Sequence, residues 1–261
     1  MDFERIVQIT DTHVVADYTK TVLRWDPVVS LRSIISSINS LEKQPQLVLA
    51  TGDLVHDGLE ESYHTLKSVL KTLNFPIFVT PGNHDSRENM ESSLLGENIY
   101  LKEHVEVQHV EWVIAFLDTK TNNEEHGLVT PAEIDRLALL FDKLEDKNCL
   151  LAMHHSPTPE CLAPACQLHG REVLLEFLAS YSNSKAVVSG HTHCETEKEY
   201  LGIKLLTTPS TLFHVEHTQR HETEHNRDFM KYHEFDGSKI AYRILDLFED
   251  GSMQSEIRWV D

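Results

Sequence analysis

Five short motifs in this chain carry side chains of the types that bind metal ions. In chain order they are Asp11-x-His13, Gly52-Asp53, Gly82-Asn83-His84-Asp85, His154-His155 and Gly190-His191-x-His193. Carboxylate and amide oxygens combined with imidazoles suit Mn, Fe, Zn or related divalent ions, whereas Ca and Mg usually prefer oxygen ligands alone. Taken singly, each motif also fits a polar turn, a helix N-cap or a pair of satisfied histidines. Taken together, the five favour a metal centre.

Each motif directly follows a predicted strand. These strands are predicted at residues 5–10, 47–50, 77–80, 149–153 and 185–189. In an open α/β sheet, ligands bind beyond the carboxyl ends of the strands, where the connecting loops meet. We therefore expect the five loops to converge on one site.

Helices alternate with these strands along the first two-thirds of the chain. They are predicted at residues 27–41, 59–73, 131–144 and 171–179, with Asp26 and Thr130 as N-caps of the first and third. Further strands are predicted at residues 112–117, 194–199, 203–207, 240–248 and 254–259, and a hairpin turn at Asp250-Gly251 joins the last two. This order predicts a single domain over residues 1–261, a layered α/β sandwich with strands from both ends of the chain.

Composition narrows the class of protein. The formal net charge of −19 over 261 residues repels nucleic-acid phosphates, so we expect no nucleic-acid partner. If the substrate is a phosphoester, bound cations must make the electrostatic potential at the site positive despite this net negative charge. No apolar window is long enough to span a membrane, and residues 1–10 lack the features of a signal peptide. With four cysteines (Cys149, Cys161, Cys166 and Cys194) and no C-x-x-C pair, we expect reduced thiols, a cytoplasmic location and no membrane partner.

One stretch, residues 213–234, is strongly biased in composition. It contains His214, His217, His221, His225 and His233, and the first four recur at roughly helical spacing. A solvated helix or a mobile loop is the simplest interpretation of this insertion. A substrate lid and an accessory metal site are the two alternatives, although nothing in the segment supplies a closed tetrahedral ligand set.

The five motifs together resemble those of the calcineurin-like metallophosphoesterase superfamily over about residues 5–210. This resemblance implies a four-layer α/β/β/α sandwich of two mixed sheets flanked by helices, and two divalent metal ions. It implies that one ion is bound by Asp11, His13, Asp53 and His193, and the other by Asp53, Asn83, His154 and His191. Asp53 would bridge the two. Fe and Mn are the expected ions, with Zn, Co or Mg as alternatives.

The resemblance also implies roles for residues beside the ligands. His84 would contact a phosphate oxygen or protonate the leaving alkoxide, and Asp85 would orient His84, with capping of the next helix as its alternative role. Substrate contacts are expected at His84 and at the ligands His13, Asp53, Asn83 and His193. His155 is expected to support the ligands from behind or to be purely structural. Asp118 either faces the site or forms a turn.

Finer features are similar to one subgroup, the bacterial class III cyclic-nucleotide phosphodiesterases of the CpdA (Icc) kind. They are the runs at residues 9–13, 50–54, 81–85, 154–157 and 208–211 and the C-terminal strands from Tyr242. This similarity implies hydrolysis of 3′,5′-cyclic AMP to AMP by attack of a metal-bridging hydroxide on phosphorus. Segment 213–234 departs from the subgroup because it is longer and richer in histidine.

Three questions stay open at this stage, namely which substrate is used, whether the protein is catalytic, and what its oligomeric state is. The ligand set does not distinguish diesters from monoesters, so the first alternative is a related enzyme acting on other cyclic nucleotides, other phosphodiesters or phosphomonoesters. The second alternative is a metal-binding protein without catalysis. A small-molecule nucleotide is the expected partner, and a monomer and a homodimer are equally compatible with the sequence.

Overall fold

A computed structural model describes residues 2–17, 20–122, 124–144, 147–158, 166–217 and 233–260 of the chain. The chain folds around two six-stranded sheets. The first sheet has the strand order β16-β15-β1-β2-β3-β4. Its strands are β1 (Phe3–Ile9), β2 (Leu47–Thr51), β3 (Ile77–Thr80), β4 (Ile99–Tyr100), β15 (Ile240–Phe248) and β16 (Met253–Val260). The first four are parallel, and β15 joins β1 antiparallel with Ile6 opposite Leu245.

The second sheet has the strand order β11-β12-β10-β8-β6-β5. Its strands are β5 (His104–Val107), β6 (Trp112–Leu117), β8 (Asn148–Met153), β10 (Ser184–Ser189), β11 (Thr196–Tyr200) and β12 (Ile203–Thr207). The four inner strands are parallel, while β5 and β11 close the two edges antiparallel. Two short pairs lie outside the sheets, β7 (Gly127–Leu128) with β9 (Leu168–His169) and β13 (His214–His217) with β14 (His233–Asp236).

The helices pack on the outer faces of the sheets. They are α1 (Pro27–Asn39), α2 (Glu60–Leu70), α3 (Arg87–Asn89), which continues into a π-helical turn (Met90–Leu94), α4 (Pro131–Leu144) and α5 (Arg171–Ala179). Asp26 caps α1 as predicted, because its Oδ1 accepts hydrogen bonds from the backbone N–H groups of Val28 and Val29 at 2.9 and 3.1 Å.

Three apolar layers hold the fold together. Helices α1 and α2 bury their apolar faces against the first sheet, and α4 and α5 bury theirs against the second. Between the sheets lies a third layer that includes Ile6, Leu49, Trp112, Leu150 and Val188, all inaccessible to solvent. The predicted α/β/β/α sandwich of two mixed sheets is therefore confirmed. Among the described residues, no helix has the length and apolar character needed to cross a membrane.

The secondary-structure prediction missed several short elements. The sequence pattern missed β4, β5, β7, β9 and the helical segment that follows Ser86. It was wrong for the start of the histidine-rich segment, because His214–His217 is a strand paired with β14 and not part of a helix. Cross-strand pairing with residues almost 20 positions away overrides the local spacing of the histidines here. The rest of the predicted insertion, residues 218–232, lies outside the described residues.

Candidate metal centre

The loops that follow β1, β2, β3, β8 and β10 meet at the carboxyl ends of the parallel strands. Five predicted ligands have a left-handed backbone: Asp11 (φ 53°), His13 (φ 44°), Asp53 (φ 49°), His191 (φ 67°) and His193 (φ 53°). Non-glycine residues rarely adopt this conformation, and such strain concentrates at functional sites. The loops also hold one another in place, since the N–H of Asp11 donates to the carbonyl of Gly52 (3.0 Å) and that of His13 to the carbonyl of Asp53 (2.9 Å).

Two glycines allow the backbone to approach the carboxylates closely. A Cβ on Gly82 would lie 2.2 Å from Asp53 Oδ1, and a Cβ on Gly190 would lie 2.5 Å from Asp11 Oδ2. Neither space accommodates a methyl group. Glycine is therefore required at both positions for the carboxylates to stay where the structure places them.

One group of donor atoms comes from Asp11, His13, His193 and one oxygen of Asp53. The Nε2 atoms of His13 and His193 lie 3.2 Å apart, and His193 Nε2 lies 3.3 Å from Asp11 Oδ1. Asp53 Oδ2 lies 3.8 Å from His13 Nε2. Two ligands bound to one ion at about 2.1 Å are about 3.0 to 3.4 Å apart at octahedral or tetrahedral angles. The distances of 3.2 and 3.3 Å fall in this range and the 3.8 Å distance lies just above it, so these atoms are close enough to share a cation.

A second group lies on the other side of Asp53. His154 Nε2 is 3.4 Å from Asp53 Oδ1 and 3.1 Å from Asn83 Oδ1. The ring centroid of His191 lies 5.0 Å from that of His154. Nitrogen and oxygen donors again combine, as suits a transition-metal ion. The structure therefore brings all seven predicted ligands together, and their donor atoms fit metal binding.

Burial and the charges of neighbouring side chains put most of these residues in the protonation states that bind metals. Burial alone would raise the pKa of Asp11, but the adjacent His193 lowers it, to about 2. The pKa of Asp53 is likewise held far below its ordinary value, against the effect of burial, mainly by His154. Burial lowers the pKa of His13 far below its usual range and lowers that of His191 to about 4. Both carboxylates are thus charged and both imidazoles neutral at pH 7, as ligands must be.

His154 is the exception among these groups. Burial would lower its pKa, but the nearby carboxylate of Asp53 raises it to about 9. The proton on His154 therefore supplies positive charge beside Asp53, and a metal ion would have to displace it.

Backbone carbonyls orient the ligands of the second donor group. The Nδ1–H of His154 donates to the carbonyl of Thr51 (2.9 Å), and the Nε2–H of His191 donates to the carbonyl of Cys166 (2.9 Å). Such contacts select the tautomer and leave the other ring nitrogen available for a metal. His193 differs, because its buried Nδ1 has no hydrogen-bond partner among the described residues and its ring packs 4.4 Å from that of Phe213.

His84 lies beside the donor groups, as predicted, but its orientation has an unexpected source. Its Nδ1–H donates to the backbone carbonyl of His56 (2.7 Å), and its ring stacks on the ring of His56 at 4.9 Å. Burial would lower the pKa of His84, but Asp53, the carbonyl of His56, Glu125 and Asp85 together raise it above its ordinary value.

Asp85 forms its hydrogen bonds with the loops and none with the ring of His84. Its carboxylate accepts hydrogen bonds from the backbone N–H groups of Gly82 (2.8 Å), Leu54 (3.1 Å) and Val55 (3.2 Å), and from the hydroxyl of Tyr63 (2.9 Å). The predicted orientation of His84 by Asp85 therefore has no direct hydrogen bond behind it and stays a prediction. A buried carboxylate satisfies backbone donors of two loops here, and these contacts hold the Asp53 and His84 loops together.

The two remaining candidates are His155, which is fully buried, and Asp118, which is partly exposed. His155 is inaccessible to solvent, and its Nδ1 contacts Thr119 Oγ1 at 2.7 Å. It lies behind His154 and His191 and groups with them as a set of metal-type side chains. Asp118 binds Arg87 at 2.6 Å and accepts from the backbone N–H of Lys120 at 2.9 Å. Asp118 is therefore a turn and ion-pair residue, the second of its two predicted roles.

Three residues near the centre escaped sequence analysis. His56 contacts both His84 and His13, with 3.4 Å between the Nδ1 atoms of His56 and His13. Glu125 accepts a hydrogen bond from Asn83, and Phe213 packs on His193. His56 follows Asp53 by three positions, so a search for histidines near the motifs would have found it. Glu125 and Phe213 carry no such signal, because their contacts join distant parts of the chain.

Comparison with known proteins places this geometry in context. The sequence model described as calcineurin-like phosphoesterase matches residues 4–195. The 3′,5′-cyclic adenosine monophosphate phosphodiesterase CpdA of Haemophilus influenzae is 27% identical over 97% of this chain and 89% of its own length. The probable glycerophosphodiester phosphodiesterase GpdQ of Arcobacter nitrofigilis is 30% identical over 78% of this chain and 77% of its own length.

Solved structures share the fold at low sequence identity. A dimetal phosphatase from Danio rerio superimposes with a TM-score of 0.65 at 15% identity, covering 99% of both chains. The purple acid phosphatase PPD1 from yellow lupin gives a TM-score of 0.68 at 12% identity, covering 99% of this chain and 52% of the other. These likenesses support the layered sandwich.

Proposed function

Because the chain belongs to the calcineurin-like phosphoesterase family, we propose that it is a dinuclear-metal phosphodiesterase that hydrolyses 3′,5′-cyclic AMP to AMP. One observation carries the dinuclear part. The two carboxylate oxygens of Asp53 face different donor groups, with Oδ2 lying 3.8 Å from His13 Nε2 and Oδ1 lying 3.4 Å from His154 Nε2. A carboxylate in that position would be able to contribute one oxygen to each of two ions, and its negative charge would offset their repulsion.

The ligands divide between the two positions as the donor groups suggest. Asp11, His13, Asp53 and His193 would hold one ion, and Asp53, Asn83, His154 and His191 the other. Two divalent ions would polarise the phosphoryl group and lower the pKa of bound water. Two carboxylates leave such a centre net positive, so it attracts an anionic substrate although the chain carries a net charge of −19. Fe and Mn are the proposed ions, with Zn, Co or Mg as alternatives.

His84 is the proposed proton donor. Its Nδ1–H is committed to the carbonyl of His56 at 2.7 Å, so its Nε2 is the nitrogen left for a substrate oxygen. The raised pKa of His84 favours the charged imidazolium, which binds a phosphate oxygen and can protonate the leaving alkoxide. Asp85 contributes indirectly, by holding the loops that carry Asp53 and His84.

A polar cleft lies next to the loop that carries Asn83. Its volume is about 400 Å³, and Arg87, Lys120, Thr121 and Asn122 line part of it. The ammonium of Lys120, one of the lining residues, donates to the backbone carbonyl of Asn83 at 2.7 Å, so the cleft lies next to the loop that carries Asn83, although none of the proposed metal ligands lines it. Its volume lies in the range of small-molecule sites, and we propose it as the position of the part of the nucleotide that extends beyond the phosphate. The cyclic AMP specificity itself is proposed from the relatives that bear that activity in their names.

The decisive experiment is a substrate panel after reconstitution with single metals. Metal-stripped protein is loaded with Fe, Mn, Zn, Co or Mg and assayed with cyclic AMP, cyclic GMP, an aryl phosphodiester and an aryl phosphomonoester. The proposal expects the highest kcat/KM for cyclic AMP and no turnover without metal. A higher kcat/KM for the monoester would overturn it.

A glycerophosphodiesterase is the second candidate, favoured by the 30% identity to the probable GpdQ. Glycerophosphoethanolamine in the same panel separates the two functions. Loss of catalysis is disfavoured because all seven proposed ligands and His84 lie together. The cytoplasmic location and the monomeric or dimeric state stay predictions.

A further inference from the structure

Glu125 lies at the mouth of the metal centre, where a carboxylate is unexpected in a site for anions. Its side chain is exposed, on the segment between β6 and β7. Its Oε2 accepts a hydrogen bond of 2.9 Å from Nδ2 of Asn83, a proposed metal ligand. Among the described residues, the hydrogen bond from Asn83 is the contact that the Glu125 carboxylate makes, and no lysine, arginine or histidine forms an ion pair with it. The negative charge therefore lies beside the substrate position and is not held in an ion pair with a side chain of its own.

The contact fixes which face of the Asn83 amide points toward the metals. Because Nδ2 donates to Glu125, Oδ1 is the atom turned to His154 Nε2, at 3.1 Å. An amide oxygen is the atom that binds a cation, so Glu125 sets the orientation that metal binding needs. The field of Glu125 also reaches His84, since it contributes to the raised pKa of that imidazole after Asp53 and the carbonyl of His56.

The same charge distinguishes phosphodiesters from phosphomonoesters. A diester carries one negative charge at pH 7, whereas a monoester carries about 1.5 to 2 because its second pKa is about 6. The ligand set alone does not separate the two. A fixed carboxylate at the edge of the site does, because it repels the additional charge of the monoester more strongly.

We propose that Glu125 is a specificity-determining residue that favours monoanionic phosphodiesters over dianionic phosphomonoesters. The inference rests on the proposed function, because it concerns selectivity within the same phosphoesterase site. At a separation of several ångströms and the high effective dielectric of a surface, one unit charge changes the ratio of diester to monoester kcat/KM by about three- to tenfold. Salt screens an exposed charge, so the wild-type ratio falls as ionic strength rises.

Two substitutions separate charge from orientation. Glu125→Gln keeps an oxygen that accepts from Asn83 but removes the charge, so the diester-to-monoester ratio should fall about three- to tenfold with metal content unchanged. Glu125→Ala removes both, so metal content should fall as well. Glu124→Gln is the matched control, because Glu124 is the neighbouring exposed carboxylate. It should leave the ratio and its salt dependence unchanged.

A binding measurement makes the test independent of turnover. Methyl phosphate and dimethyl phosphate are titrated into the metal-loaded protein by calorimetry. Glu125→Gln should tighten binding of the monoanionic dimethyl phosphate as well, but binding of the dianionic methyl phosphate more strongly, so that the ratio of the two affinities shifts by about three- to tenfold. Equal effects on both ligands, or none, would refute the role of Glu125.

Failure of this inference is distinct from failure of the proposed function. A wild-type enzyme that prefers diesters, with the same preference in Glu125→Gln, overturns the inference alone. A wild-type enzyme that prefers monoesters overturns the proposed function. The calorimetric comparison still decides the role of Glu125 in that case.

Discussion

Gly82→Ala is the substitution that most directly tests how the loops position the bridging carboxylate. Gly82 has no positive φ, so alanine brings no backbone strain there. Its Cβ would lie 2.2 Å from Asp53 Oδ1 and 2.3 Å from the backbone nitrogen of Asp53. Restoring an ordinary contact of 3.4 Å requires a shift of about 1.2 Å in Asp53 or its loop. A displacement of about 1 Å in a catalytic constellation costs about 100-fold in rate.

We therefore expect Gly82→Ala to lose bound metal and to lower kcat by about 100-fold or more. Metal per chain is measured by elemental analysis after gel filtration, and kcat with cyclic AMP or with the aryl phosphodiester. Near-ultraviolet circular dichroism and thermal unfolding establish that the variant is folded.

Gly202→Ala is the matched control for this experiment. Gly202 has a φ of +85°, and a Cβ there meets no atom within 4 Å. This variant bears only backbone strain of about 1 to 2 kcal/mol, so it should lose stability while keeping its metal and its kcat. If Gly82→Ala kept the wild-type metal content and a kcat within threefold of wild type, close approach to Asp53 would not be a requirement of the site.

Three further outcomes follow from the structure. His84→Ala should lower kcat about 10²- to 10⁴-fold with unchanged metal content, because His84 is placed as a proton donor and not as a ligand; near-full kcat would exclude it from the mechanism. Leu49→Ala should lower the free energy of unfolding in urea by about 2 to 5 kcal/mol, because Leu49 is 0% exposed between the sheets. Val29→Ala, at a side chain that is 59% exposed, should change the free energy of unfolding by less than about 0.5 kcal/mol. Equal losses of stability in Leu49→Ala and Val29→Ala would contradict the assignment of Leu49 to the core. Burial raises the pKa of the Cys149 thiol to about 12, so iodoacetamide at pH 8 should modify Cys149 only after unfolding, as mass spectrometry of peptides can show; rapid labelling of the native protein would contradict its burial.

Much of the fold was predictable because its strongest patterns are local. The strands Ile77–Thr80 and Ile240–Phe248 and the helix Arg171–Ala179 have the bounds expected from their apolar periodicity. These elements need no distant contact to be recognised. Short edge strands such as Ile99–Tyr100 were missed, because two residues carry no periodic signal and the partner strand defines them.

The sequence by itself determined the residue types of the site and their positions after the strands. It could do so because parallel strands end at one edge of a sheet, which brings the loops after them together. The division of Asp53 between two donor groups was implied only by resemblance, and the geometry of its two oxygens now supports it.

Tertiary structure alone decided which atoms orient the side chains of the site. The carbonyl of His56 orients His84, Asp85 binds the backbone of two loops, and Glu125 holds the amide of Asn83. Glu125 and Asn83 are 42 positions apart, and their contact exists only because the two sheets pack face to face with their loop ends together. Hydrogen bonds between loops depend on distances of tenths of an ångström, and residue spacing along the chain does not encode such distances.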